Sequence, residues 1–268
     1  MAMLLCGKRA NAPFFWEKLN IRLYSLEEVC YVIRKYPLIA VDGLVGEAFA
    51  DWVGTSGLSD ALSKELLEGI RGGESSENLL LMVVQTANYL TMGEIRALSD
   101  TLTRVRSMKP YDRLRLTGKM YYEAGRLSAA FERFREALCE REKALGHGPD
   151  ELELAIFQAD RADILCDMVA VAMLRFDVPG ALKLLDSIGS AGRFRRAEEY
   201  RYLITGDAFL SEEDKDALKE KKRKLEMKAR TTGRAKKVKD LSGGDYVKFA
   251  SYAGNVLREW KQEYRRTI

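Results

Sequence analysis

Residues 111–145, YDRLRLTGKMYYEAGRLSAAFERFREALCEREKAL, decide the fold. Leu114, Gly118 and Tyr121 precede the break Glu123-Ala124-Gly125-Arg126, and Ala130, Phe134 and Ala137 follow it. Spacings of three and four residues put each set on one side of a helix. The break is too short to do anything but reverse the chain, and Gly125 supplies the left-handed residue that such a turn needs. Small side chains at Gly118, Ala130 and Ala137 let the two helices approach closely. Tyr121 and Phe134 fill the space on either side of that contact.

The remaining segments read as less regular versions of this hairpin. Leu79–Leu90 is almost wholly apolar, the mark of a helix covered on both sides, and Gly93 is expected in the turn after it. Glu94–Met108 is amphipathic through Ile95, Leu98, Leu102 and Val105. Beyond the break Gly146-His147-Gly148-Pro149-Asp150, Glu151–Phe176 predicts a long, largely buried helix. Pro179 suits the first turn of a helix Pro179–Ile188. Further helices are expected near Arg193–Thr205 and Ser211–Arg230.

Upstream, Ser25-Leu26-Glu27-Glu28 has the form of a capping box and opens a helix that should stop before Pro37. Leu44–Val53 and Leu58–Ile70 predict two short helices. Met3–Cys6 and Leu19–Tyr24 are candidate strands, with Pro13-Phe14-Phe15-Trp16 an aromatic plug between them. Arg71-Gly72-Gly73-Glu74-Ser75-Ser76 is the expected subdomain boundary. At the other end, Ser242-Gly243-Gly244-Asp245 is a second capping-box signature. It precedes an apolar stripe of Tyr246, Phe249, Ala250, Ala253, Val256, Leu257, Trp260 and Tyr264.

Composition agrees with a helical protein. The chain has 268 residues, of which 47% are hydrophobic and 31% charged, with only five prolines. Its net charge of +4 conceals a C-terminal excess: residues 211–268 hold 17 Lys/Arg against 10 Asp/Glu. The four cysteines form no C-x-x-C pair, the usage of a reducing cytoplasm, where buried structural thiols are expected. No run approaches the roughly 20 apolar residues of a membrane span, and the N-terminus lacks a signal-peptide core. The expected protein is cytoplasmic, with no membrane partner.

The hairpin at 111–145 resembles a tetratricopeptide repeat, whose pattern is W-x₂-L-G-x₂-Y, a turn glycine, then A-x₃-F. Gly118, Tyr121, Gly125, Ala130 and Phe134 stand at the matching places. Leu114 stands where Trp is expected and Thr117 where Leu is, and the closing Pro is absent from its usual place. Ala181 and Leu185 repeat the A-x₃-F spacing with Leu for Phe, and Ala97 with Thr101 repeats it poorly. The intervals from Ala97 to Ala130 and on to Ala181 are 33 and 51 residues, so the repeat is irregular. The chain as a whole also looks broadly like bacterial helical proteins.

The resemblance implies an all-α fold, a stack of antiparallel hairpins over 77–230. A small, mainly helical subdomain at 1–73, with room for two short strands, would precede it. Residues 231–268 would supply a linker and an amphipathic capping helix, through which the protein is a monomer if the helix folds back or a dimer if it docks on a second copy.

Catalysis is not expected. His147 is the only histidine and lies in a Gly-flanked loop, so nucleophile–base pairs and multi-histidine metal sites lack a partner. Gly118-Lys119 lacks the rest of a phosphate loop, and Asp42, Glu47 and Asp51 read as ordinary helix-dipole partners. No cofactor or metal is implied. Binding is the expectation. Tetratricopeptide-like stacks line their concave face with the first helix of each hairpin, and there Arg115, Lys119 and Tyr122 share a side. Two cations beside an aromatic ring suit an acidic peptide or a terminal carboxylate; a solvated charged face is the competing reading. A non-catalytic adaptor for a protein or peptide partner, an acidic one by preference, follows.

The alternative is a nucleic-acid-associated or regulatory protein acting through the basic segment 221–239. That segment holds ten Lys/Arg and one Glu, among them Lys221, Lys222, Arg223, Lys224, Lys228, Arg230, Lys236 and Lys237. It contains no interleaved aromatics that would read bases. A solvated helix and tether is the competing reading here.

Overall fold

The computed structural model describes residues 7–145, 149–189 and 193–231, the side chains of 225–231 excepted. Among them are twelve helices and two short strands. The chain divides into two compact units, Met1–Val171 and Ala172–Ile268.

The first unit begins with a β-hairpin. Strand β1, Phe14–Trp16, pairs antiparallel with β2, Ile21–Leu23, in the register Phe15 to Arg22. The aromatic run expected as a plug is therefore itself a strand, and only part of Leu19–Tyr24 joins it; Met3–Cys6 lies outside the described residues. Asn20 turns the chain at φ 56°, a conformation its short polar side chain tolerates. Phe14 meets Phe49 edge-on at 5.2 Å and Trp52 at 5.6 Å, and the Trp52 indole N–H donates to the Ala12 carbonyl at 2.8 Å. These contacts fasten the hairpin to the third helix.

Helix α1, Leu26–Lys35, starts where the capping signature lies. The Ser25 hydroxyl accepts from the Glu28 amide, and the Glu28 carboxylate accepts from Tyr24 N at 2.6 Å, one residue earlier than an ideal box. Pro37 ends α1 and at once opens α2, Pro37–Val41, because proline fits a first helical turn. Helices α3, Glu47–Thr55, and α4, Asp60–Arg71, form a hairpin, and α5, Ser76–Ala87, packs on α1, α2 and α4. Leu80, Val83 and Val84 of α5 are fully buried, as its composition requires. Burial also pushes the Cys30 thiol up to about 12, leaving it neutral and inert, whereas Cys139 is exposed, against the expectation of buried thiols.

Helix α6, Met92–Ser107, corrects one expectation. Gly93 lies inside its first turn, since Thr91 and Glu94 form a full reciprocal capping box ahead of it. The reversal falls instead at Asn88, with φ 48°. At Arg71–Ser76 the structure has a turn between packed helices: α5 contacts α4 behind it, and α2 reaches α1, α5, α6 and the later α7, Pro110–Glu123, alike. Five buried or nearly buried residues of α2, Pro37 through Val41, join the N-terminal elements to the hairpin, so they share one unit with it.

Helices α7, Pro110–Glu123, and α8, Leu127–Lys143, are that hairpin. Helix α9, Glu151–Leu174, runs across the division between the units. It is buried only from Ala162 onward; Leu152, at 69% exposure, Leu154 and Ile156 face solvent, where a largely buried helix was expected. The second unit continues with α10, Val178–Ile188, α11, Arg195–Thr205, and α12, Glu212–Thr231. Helix α10 packs on α11 with Ala181 and Leu185 fully buried. Buried Glu198 accepts from the Phe209 amide at 3.0 Å, and Arg195 reaches Asp214 at 2.7 Å, joining α11 to the start of α12.

Candidate functional site

The α7–α8 hairpin is assembled from the positions its sequence singles out. Tyr121, Ala130, Phe134 and Ala137 are buried. A Cβ at Gly118 would lie 2.6 Å from the Phe134 ring, closer than any real side chain sits, so glycine is required for the ring to pass. Gly125 takes φ 71°; its amide donates to Tyr122 O and the next amide, Arg126 N, donates to Tyr121 O. That pair of bonds is the Schellman closure of a helix end.

Helix α7 presents two opposite faces. On one, Arg115, Lys119 and Tyr122 share a side, and the two cations meet α9. The Arg115 Nε–H donates to Asp167 at 2.7 Å, and its terminal nitrogen reaches Asp163 at 3.2 Å. Lys119 Nζ stands 4.0 Å from the same Asp167 carboxylate. Asp167 is only 5% exposed and the Arg115 side chain 19%, whereas Lys119 is 46% exposed and Tyr122 half-buried. Burial opposes the Arg115 charge, yet the hydrogen bonds and charges of Asp167 and Asp163 outweigh it and hold the guanidinium's pKa above its ordinary value.

A second arginine repeats the arrangement. Arg141 of α8 is buried, its Nε–H donates to Asp160 at 2.9 Å, and its guanidinium lies over the Tyr111 and Phe157 rings at 5.1 and 5.2 Å. Two desolvated cation–π contacts and a charge-assisted hydrogen bond hold it. Thus Asp160, Asp163 and Asp167, at i, i+3 and i+7 on α9, meet the cations of α7 and α8. The sequence carries a signal for Asp167 alone: it is the one charged residue between Asp163 and Leu174, in a stretch otherwise apolar or sulfur-bearing.

The other face of α7 borders a cleft of about 340 Å³ that the sequence reading missed. Pro110 and Leu114 give it an apolar floor. Arg113 and, from α8, Glu136, Glu140 and Lys143 surround it, with exposed Cys139 at its wall. Lys143 pairs with Glu140 at 2.8 Å and Arg133 with Glu136 at 2.7 Å, while Arg113 has no ion pair among the described residues. Its residues are scattered over two helices at ordinary surface spacings, so nothing in the linear pattern marks them.

Asp42 is likewise more than a dipole partner. As the residue closing α2 it accepts from Lys18 at 2.7 Å and lies 3.8 Å from Arg133 of α8, a charged bridge from the β-hairpin loop to the hairpin.

Of the basic segment, Lys221, Lys222, Arg223 and Lys224 are exposed on α12. Lys228 and Arg230 belong to α12 by backbone only; Lys236, Lys237 and the whole apolar stripe 246–264 lie outside the described residues, as does His147. Among the described residues no group of three or more His, Cys, Asp or Glu is placed to hold a metal ion, and no helix is long and apolar enough to cross a membrane. No protein-family model, curated protein or solved structure matches the chain.

Proposed function

We propose that the protein is a non-catalytic interaction adaptor built from tetratricopeptide-like hairpins, binding a peptide or partner domain in the cleft between α7 and α8. The observation that carries this is the pairing state of α7. Its Arg115 face already holds carboxylates, those of Asp163 and Asp167, in the way an acidic peptide would be held. Arg113, on the opposite face, has no ion pair among the described residues and lies beside an apolar floor. A ligand with a carboxylate spaced from an aliphatic side chain would satisfy both, the carboxylate on Arg113 and the aliphatic group against Leu114 and Pro110.

Two further facts support the reading. The hairpin is closely packed, with the Phe134 ring against Gly118, which favours a preformed cleft and a small ordering cost on binding. The turn hydrogen bonds of α7–α8 recur at the end of α9, as expected if one structural unit is used twice.

Affinity purification in high salt with nuclease, followed by anisotropy titration of the recovered partner's peptides, tests the proposal. Arg113→Glu should weaken binding at least tenfold, and Lys119→Ala should leave it unchanged. Equal affinities for wild type and Arg113→Glu would remove the cleft; a loss confined to Lys119→Ala would return the site to the α9-facing side.

A further inference from the structure

Helix α12 changes character along its length. Its first half is self-neutralised by charge pairs at i, i+3: Glu212 with Lys215 at 2.9 Å and Asp216 with Lys219 at 2.8 Å. Acidic residues fill the first turn, where they complement the helix dipole. Past Glu220 the balance is lost. That one carboxylate stands 3.5 Å from Arg223 and 3.8 Å from Lys224, both longer than the pairs before it, and Lys221 and Lys222 have no ion pair among the described residues. From Lys219 to Thr231 the helix carries seven Lys/Arg against two Glu.

The geometry of this run restricts its ligand. Successive helical residues are about 100° apart, so Lys221, Lys222, Arg223 and Lys224 project around the whole circumference. All four are exposed, which leaves this stretch no apolar face of the kind that beds a helix into a lipid surface. Residues 211–231 contain no Phe, Tyr or Trp on which unpaired bases could stack. An acidic protein surface would engage one side and leave the opposite cations idle. The ligand that suits charge on every side is one with anionic walls on both sides.

We propose that the Lys221–Lys224 turn of α12 lodges in the major groove of double-stranded DNA, contacting phosphates of both strands. A helix is about 10–12 Å across with its side chains, and the B-form major groove is about 12 Å wide. The A-form groove of duplex RNA is deep and narrow and does not admit it. Cations without Asn or Gln partners, Arg223 being the only guanidinium among the four, give backbone contact and no base readout, so binding is independent of sequence. This inference stands apart from the cleft between α7 and α8 and uses none of its residues.

The test is anisotropy of the full chain with a 20-base-pair DNA duplex, the same sequence as duplex RNA, its single strand, and vesicles of phosphatidylserine and phosphatidylcholine. About three phosphate contacts, the fourth cation pointing out of the groove, predict a slope of log affinity against log salt of about −2.7, a loss of roughly fortyfold between 50 and 200 mM salt. The K221Q/K222Q/R223Q/K224Q protein should bind DNA at least tenfold more weakly at 50 mM salt, with a slope shallower by two or more. Unchanged affinity and slope in that variant would overturn the proposal. So would duplex RNA or the single strand binding as tightly as duplex DNA, or vesicle binding without DNA binding, which would assign the cations to a lipid surface.

Discussion

The turns after α7 and after α9 have the same hydrogen bonds and different residues. In the first, Arg126 N donates to Tyr121 O and Gly125 N to Tyr122 O; in the second, Asp177 N donates to Ala172 O and Phe176 N to Met173 O. The left-handed residue is Gly125 at φ 71° in one and Phe176 at φ 59° in the other. In each case the residue five positions beyond the left-handed one is a fully buried alanine, Ala130 or Ala181, followed four positions later by a fully buried knob, Phe134 or Leu185. The second turn holds its shape without the residue that makes the first one easy. Backbone closure and the buried alanine therefore define the motif, and glycine only makes it cheaper: a bulky side chain in the left-handed region costs about 1–2 kcal/mol. At 46% exposure Phe176 still buries about half of its ring, which offsets part of that cost.

The largest test of this comparison removes the knobs. Phe134→Ala should destabilise by about 3–5 kcal/mol and Leu185→Ala by about 2–5, read from urea midpoints. If Leu185→Ala were neutral, the two hairpins would share a turn and nothing else. A smaller effect probes the tie from α7 to α9. Asp167→Leu alone should cost about 2 kcal/mol, because it removes the buried one of two carboxylates on a largely buried guanidinium and leaves it only the exposed Asp163, while the Arg115→Leu/Asp167→Leu pair should recover most of that loss. Additive losses would show that each side chain acts through packing alone. The smallest effects come from the turns themselves. Gly125→Ala should lower stability by about 1 kcal/mol, and Phe176→Gly should leave it unchanged or raise it by up to about 1, since relief of strain is partly offset by the entropy of a freer unfolded chain. Thermal melts resolve both, and a Phe176→Gly protein that melts lower would mean the ring makes contacts worth more than its strain.

Local chemistry was the legible part. Ser25, Gly125, Pro37 and the periodic faces of α6, α7 and α8 act within a turn or two of themselves, so their spacing alone announces them. Phe14–Trp16 was misread because a three-residue strand has too few positions to alternate, and its partner is fixed only by the tertiary contact of Phe14 with Phe49 and Trp52. Gly72-Gly73 looks like a linker, yet the helices on either side of it pack together, and the five-residue α2 that touches both sides has almost no period to read. Arg115 and Lys119 were correctly placed on one face, but a face has no label for what covers it. Asp163 and Asp167 lie 48 and 52 residues from Arg115, and no local rule connects them. The cleft was invisible for the same reason: Arg113 and Lys143 become neighbours only when the hairpin closes.

Asp167 has a consequence for how many native states the protein has. From Ile164 to Val171 every described residue of α9 but Ala170 is buried, and all except Asp167 are apolar or sulfur-bearing. Such a helix is nearly indifferent to rotation about its own axis, since each rotation buries similar surface. The rotation seen here places the Asp167 and Asp163 carboxylates on Arg115. The ion pair acts as a key that selects one rotamer of a whole helix, and its worth is better measured in conformers excluded than in stability gained. A doubly apolar replacement can therefore melt as high as the wild type while its methyl resonances broaden or double.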